Sequence, residues 1–250
     1  MVDWMPSALA AREKGLPLVN IAQPFKSSGM MLTCRKDMGV NSTDDLKGKT
    51  LGVWFYGNEY PFLSWMSRLG LATDGSADGV TVLKQGWGVE PLTEGQAACV
   101  STMSYNEYWV VRDAGYSPEQ LTVFKYQTEG ASTLEDGLYV LEKNLGDSSF
   151  KDKMVRFVRA SMKGWKYAEA NPKEAASIIL DNDDAGVQTE KHQVRMMGEI
   201  AKLTAGSNGA LDPADYQRTV KVLMSGASDP VITKEPSGAW THDITNAALN

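Results

Sequence analysis

Short apolar runs bounded by glycine, proline and polar clusters alternate with helix-period stretches over the first 142 residues, and from Phe150 onward the apolar positions recur only every three or four residues. Thr50 to Trp54 is the clearest run, bounded by Gly48 and Gly57 and followed by Leu63, Met66 and Leu69 on one helical face. This predicts a strand, a turn and a helix, with Asn58 as cap, Pro61 in the first turn and Gly70 at the end. The helix's free N–H groups then point beyond the strand's carboxyl end, where open α/β sheets take ligands. Trp54, Phe55 and Tyr56 occupy the same edge. They predict one wall of a cleft for a small, ring-bearing molecule.

The remaining elements follow the same logic. Pro6 to Lys14 reads as a helix stopped by Gly15, Leu18 to Gln23 as a buried strand and Ser28 to Cys34 as a second extended run. Strands are expected at Val80–Gln85, Ala97–Thr102, Leu121–Tyr126 and within Leu134–Leu141, with a short helix at Pro91–Glu94. Strands alternating with helices argue for a parallel or mixed sheet wrapped by helices. In the C-terminal part, Met154, Val158, Met162 and Trp165 form a stripe that stops at Asn171-Pro172. Ile178–Leu180, then Val194, Met197, Ile200 and Leu203, mark two more helices. A fourth starts at Asp212-Pro213, with Gly226 past its end.

Composition narrows the function classes. A chain of 250 residues that is 42% hydrophobic and 22% charged is an ordinary globular sequence. Its net charge of −6 makes nucleic acid and anionic membrane surfaces poor partners. Met1–Pro6 lacks the basic and apolar regions of a signal peptide, which leaves the compartment open. Gly48-Lys49-Thr50 resembles the end of a phosphate-binding loop, but the upstream glycine is missing and a strand follows. Cys34 and Cys99 lack metal-type spacing and read as two buried thiols. His192 and His242, expected in separate helices without acidic or cysteine partners, read as surface residues, and no metal or cofactor is expected.

The ordered set AREKGLP, SSGMML, DLKGKTLGVW, SYNEYW, LEDGLYV and VRFVRASMKGWKYAEANPKEAASIIL resembles the substrate-binding proteins of bacterial ABC importers, in the nitrate/sulfonate/taurine and thiamine-pyrimidine-precursor group. The resemblance runs from about Trp4 to Met224. It implies an α/β, two-lobed periplasmic-binding-protein-like (type II) fold with the ligand between lobes: 1–37 plus 135–250 as lobe 1, and 38–134 as lobe 2. It also implies that the first strands of lobe 1 are missing ahead of the DWMPSALAAREKG segment, so that an exposed sheet edge invites self-association. The implied partners are a small molecule and a membrane permease, in a periplasmic or lipid-anchored extracytoplasmic setting.

The candidate ligand contacts are Trp54, Tyr56, Gly57, Asn58 and Glu59 at one strand exit, Tyr105, Asn106 and Glu107 at another, Glu135 and Asp136 where the chain crosses between lobes, and Ser28 and Trp4 from the matched segments. Against these stand bland readings: aromatics in a core, Glu107 as a helix-start carboxylate, and Glu135 and Asp136 as solvated charges. Residues 51–67, 87–111 and 126–142, expected to line the cleft, contain no Lys or Arg, but they do contain eight carboxylates, Glu59, Glu90, Glu94, Glu107, Glu129, Glu135, Asp136 and Glu142. Carboxylates suit a donor-rich ligand such as an amino-substituted pyrimidine. The alternatives are a binder of nitrate, taurine or alkanesulfonate, and an enzyme resembling the thiamine-pyrimidine synthases. That enzyme reading is weakened by the lack of a cysteine cluster and by histidines outside the cleft segments.

Overall fold

The computed structural model describes residues 1–225 and 230–249. The chain divides into two compact units, Met1–Ser28 with Leu134–Thr219 and Ile232–Asn250, and Gly29–Thr133 with Val220–Val231. The division expected from sequence places 29–37 in the first lobe. In the structure this stretch holds a strand that pairs only inside the second unit, and so it belongs there.

The first unit is built on an antiparallel sheet of three strands, β1 (Val2–Trp4), β2 (Leu18–Ala22) and β8 (Asp136–Leu141), with β8 in the middle. Helix α1 (Met5–Glu13) covers one face, where Ala8 packs with Leu18 and Tyr139. On the other face, α5 (Ser148–Ala170) and α9 (Asp243–Leu249) set Val158, Met162, Ile244 and Ala248 against Ile21, Ala22 and Val140. The predicted stripe of α5 thus faces the sheet, and the Asp147 carboxylate accepts from the N–H groups of Ser149 and Phe150 to start the helix. Helices α6 (Pro172–Asp181) and α7 (Glu190–Thr204) pack against α5 and each other. Helix α8 (Pro213–Met224) begins in the first unit, with the Asp212 carboxylate accepting from Ala214 N–H, and its last residues belong to the second. Its expected stop at Gly226 lies outside the described residues.

The second unit carries a mixed sheet in the order β5-β4-β6-β3-β7. Strands β4 (Thr50–Val53), β5 (Thr81–Lys84) and β6 (Cys99–Met103) run parallel, and β3 (Met30–Arg35) lies antiparallel to both β6 and β7 (Leu121–Lys125). One face takes α2 (Glu59–Arg68), whose Trp65 meets the rings of Phe124 and Tyr126. The other takes α3 (Glu90–Thr93) and α4 (Glu107–Asp113), which bury Leu92 and Val111 with Val100 and Leu121. The period-2 side chains of β7 divide between these faces, and β6 is buried throughout.

Three expectations are corrected. Cys34 and Cys99 are buried, as expected of core cysteines, but they form a disulfide and are not thiols. They oppose each other across β3 and β6 at a non-hydrogen-bonded pair, because the backbone bond falls one residue on, from Arg35 N–H to Ala98 O. Asn58 precedes α2 but does not cap it; its side-chain amide donates to Phe55 O instead. His242 precedes α9 and is half-buried, its Nε2 2.8 Å from Leu211 O and its ring beside Trp240. His192 lies on α7, also half-buried.

Candidate functional site

In the second unit, parallel β4, β5 and β6 deliver three chain exits to one edge of the sheet. After β4, Trp54 donates its indole N–H to Gly86 O at 2.9 Å, which ties this exit to the segment following β5. Tyr56 has φ of 65°, the only positive value at a non-glycine position among the described residues, and its side chain is 86% exposed. The large ring of Tyr56 is thus held outward from a sparsely populated backbone region. Gly57 is buried and donates its N–H to the Glu59 carboxylate at 2.7 Å.

After β6, Glu107 folds back on its own strand. Its carboxylate accepts from Met103 N–H at 2.9 Å and from the Asn106 amide at 2.7 Å, and Trp109 donates its indole N–H to Ser104 O. Burial raises the Glu107 carboxyl above its usual range, against the pull of those hydrogen bonds. Glu107 therefore does serve the turn at a helix start, and it is also a desolvated acceptor beside half-buried Tyr105. The β5 and β6 exits are joined by buried Gln85, which accepts from Ser101 N–H and donates to the carbonyls of Ser101 and Gly88.

Lys84 lies just outside the segments that the sequence assigns to the cleft. As the last residue of β5, paired with Val53, it places its ammonium 4.7 Å from the centroid of Tyr56, 5.7 Å from that of Phe55 and 3.3 Å from the Tyr56 hydroxyl. Lys84 therefore brings a positive charge to this rim.

In the first unit, Glu135 is fully buried and not a solvated charge, and it accepts from the Ser28 hydroxyl at 3.0 Å. Next to it, buried Gln23 donates to the carbonyls of Glu135 and Asp136 and accepts from the Asn20 amide at 3.0 Å. Neither amide is among the sequence candidates, although two polar residues inside the apolar run LVNIAQ are a readable signal of a buried polar network. Gly137 lets these amides approach, since a Cβ there would overlap Asn20 Nδ2 and Gln23 Oε1. Asp136 stands opposite Trp4 in the β1–β8 register and is half-buried. Burial raises the Asp136 carboxyl above its usual range, with a smaller push from Asp3, whose own carboxyl is raised by burial.

The twelve sequence candidates thus fall into two sets: Trp54, Tyr56, Gly57, Asn58, Glu59, Tyr105, Asn106 and Glu107 at strand exits of one unit, and Trp4, Ser28, Glu135 and Asp136 around β8 of the other. Among the described residues, no group of three or more His, Cys, Asp and Glu side chains has the arrangement to hold a metal ion.

Two α/β units, the second of which presents aromatic and carboxylate side chains at the exits of parallel strands, define the binding-protein architecture with a type II two-lobed fold. Residues 2–175 match the family described as NMT1/THI5 like, and the chain belongs to that family. It is 23% identical to a formylaminopyrimidine-binding protein of Halalkalibacterium halodurans, over 96% of this chain and 73% of that one. Its fold is similar to that of the periplasmic aliphatic sulphonate binding protein SsuA from Escherichia coli, with 13% identity, a TM-score of 0.61, and 90% of this chain and 68% of that one covered. It is similar also to the desulfurization enzyme DSZB, with 13% identity, a TM-score of 0.66, and 99% and 84% covered.

Proposed function

We propose that this protein is the substrate-binding component of an ABC importer and that its ligand is a small heteroaromatic amine of the thiamine-pyrimidine-precursor kind. The observation that carries the reading is the pairing, within one unit, of an outward-held aromatic ring at Tyr56 with a desolvated carboxylate at Glu107 on a nearby strand exit. Flat rings select planar ligands, and acceptors without bulk water select N–H donors. Buried Glu135 and half-buried Asp136 supply the same chemistry in the other unit, and both sets are assigned to ligand capture. Family membership supports the reading, as does the pyrimidine ligand named for the Halalkalibacterium relative.

The protein is read as non-catalytic, although DSZB shows that a similar fold also serves an enzyme. The extracytoplasmic setting is supported by the Cys34–Cys99 disulfide, a bond kept in oxidising compartments, and no helix among the described residues is long and apolar enough to cross a membrane. A membrane permease is the macromolecular partner, and the outer edge of β1, where Val2 is exposed, is the surface assigned to self-association.

Thermal melting in the presence of ligand panels tests the assignment. Aminopyrimidines should raise Tm and be recovered unchanged, whereas taurine and nitrate should leave it where it is. A shift with taurine or nitrate alone, or chemical conversion of the aminopyrimidine, contradicts the reading.

A further inference from the structure

Lys84 forms no ion pair among the described residues, yet its ammonium lies within cation–π distance of two rings at once and within reach of the Tyr56 hydroxyl. Its place is fixed by the sheet, because the β4–β5 register sets Lys84 beside Val53, immediately before Trp54, Phe55 and Tyr56 leave the strand. The same exits are joined by the Trp54 indole bond to Gly86 O. Two aromatic faces around one ammonium make an arrangement that recognises organic cations. Here the occupant is the protein's own side chain.

We propose that Phe55 and Tyr56 form a cage for the cationic centre of a ligand, and that Lys84 fills this cage until the ligand displaces it. Lys84 is then a specificity-determining residue that works by competition. It occupies the ring faces and, once displaced, stays close enough to repel a ligand of its own charge sign. The backbone of Tyr56, held at a φ that side chains rarely adopt, presents the ring for this contact. Only a cation that gains more than the displaced ammonium loses is retained. This assignment rests on reading the β4 exit as a ligand rim, and it extends that reading from heteroaromatic amines to organic cations in general.

The test uses benzyltrimethylammonium as a cage probe and benzenesulfonate as its anionic counterpart, titrated calorimetrically into the wild type, Lys84→Met, Lys84→Arg and Tyr56→Ala. Removing the charge in Lys84→Met should tighten benzyltrimethylammonium binding by about 2- to 5-fold, the span that corresponds to one exposed cation–π contact. Lys84→Arg, which keeps a competitor that stacks at least as well, should bind the probe no more tightly than the wild type, and Tyr56→Ala should lose the probe. Because Lys84 is exposed at a strand end, circular dichroism and melting should show Lys84→Met folded as the wild type is. Weaker benzyltrimethylammonium binding in Lys84→Met, no binding in any variant, or benzenesulfonate binding that depends on Lys84 overturns the proposal. Cage binding without any response to aminopyrimidines would leave this inference standing while refuting the assigned ligand.

Discussion

At the scale of single residues, the two units use opposite devices. Tyr56 is displayed, its ring outside and its backbone at φ 65°, whereas Glu135 is enclosed completely and held by Ser28. Gly137 belongs to the second device. A methyl group there would meet the Asn20–Gln23 amide pair, so Gly137→Ala should cost about 1–3 kcal/mol of stability, the usual penalty of overpacking, read as a lower melting temperature. A melt indistinguishable from the wild type would show that the amide network yields easily. Asp136 gives a sign-specific prediction. Its raised carboxyl favours the protonated form in the fold, so its contribution to stability is present below the unfolded value and is lost as pH rises through the folded one. Asp136→Asn should therefore melt higher than the wild type at pH 7, with the gap closing below about pH 4. A lower melting temperature at pH 7 would contradict the burial argument. If Asp136 also serves the ligand, the same substitution weakens binding while it strengthens the fold, a trade common at functional sites.

At the scale of elements, periodicity made much of this fold readable. The strand–turn–helix around Thr50–Leu69 shows in sequence because a short continuous apolar run bounded by Gly48 and Gly57 gives way abruptly to an apolar period of about 3.6. Register does not show. Cys34 and Cys99 are 65 residues apart, and only the pairing of β3 with β6 brings them face to face. Lys84 was invisible for the same reason, since its nearness to Tyr56 comes from β4–β5 pairing and not from sequence distance. Burial of Glu135 was hidden too, because a carboxylate beside polar neighbours reads as solvated until Ser28 is seen to meet it. The Cys34–Cys99 bond fastens an inner pair of the five-stranded sheet and closes a long loop, so the double variant Cys34→Ala/Cys99→Ala should lose about 2–4 kcal/mol in denaturant titration. Wild-type protein under reducing conditions should lose a comparable amount. An unchanged midpoint in both would remove the disulfide from the account.

At the scale of the whole molecule, the chain passes between units after Ser28, Thr133, Thr219 and Val231, and three of the four candidate residues of the first unit lie in sequence beside the first two of these crossings. Ser28 ends one segment, and Glu135 and Asp136 follow the start of the next. The central claim is that carboxylates, with aromatic faces, select an amine-bearing heteroaromatic ring. Calorimetric titration of 4-aminopyrimidine and of taurine into the wild type, Glu107→Gln and Asp136→Asn tests it most directly. The account predicts saturable binding of 4-aminopyrimidine that weakens by about tenfold or more in each variant, as loss of a charge-assisted hydrogen bond of about 1.5–3 kcal/mol requires, and no measurable heat with taurine. Tight taurine binding, unchanged in both variants while 4-aminopyrimidine fails to bind, would contradict it.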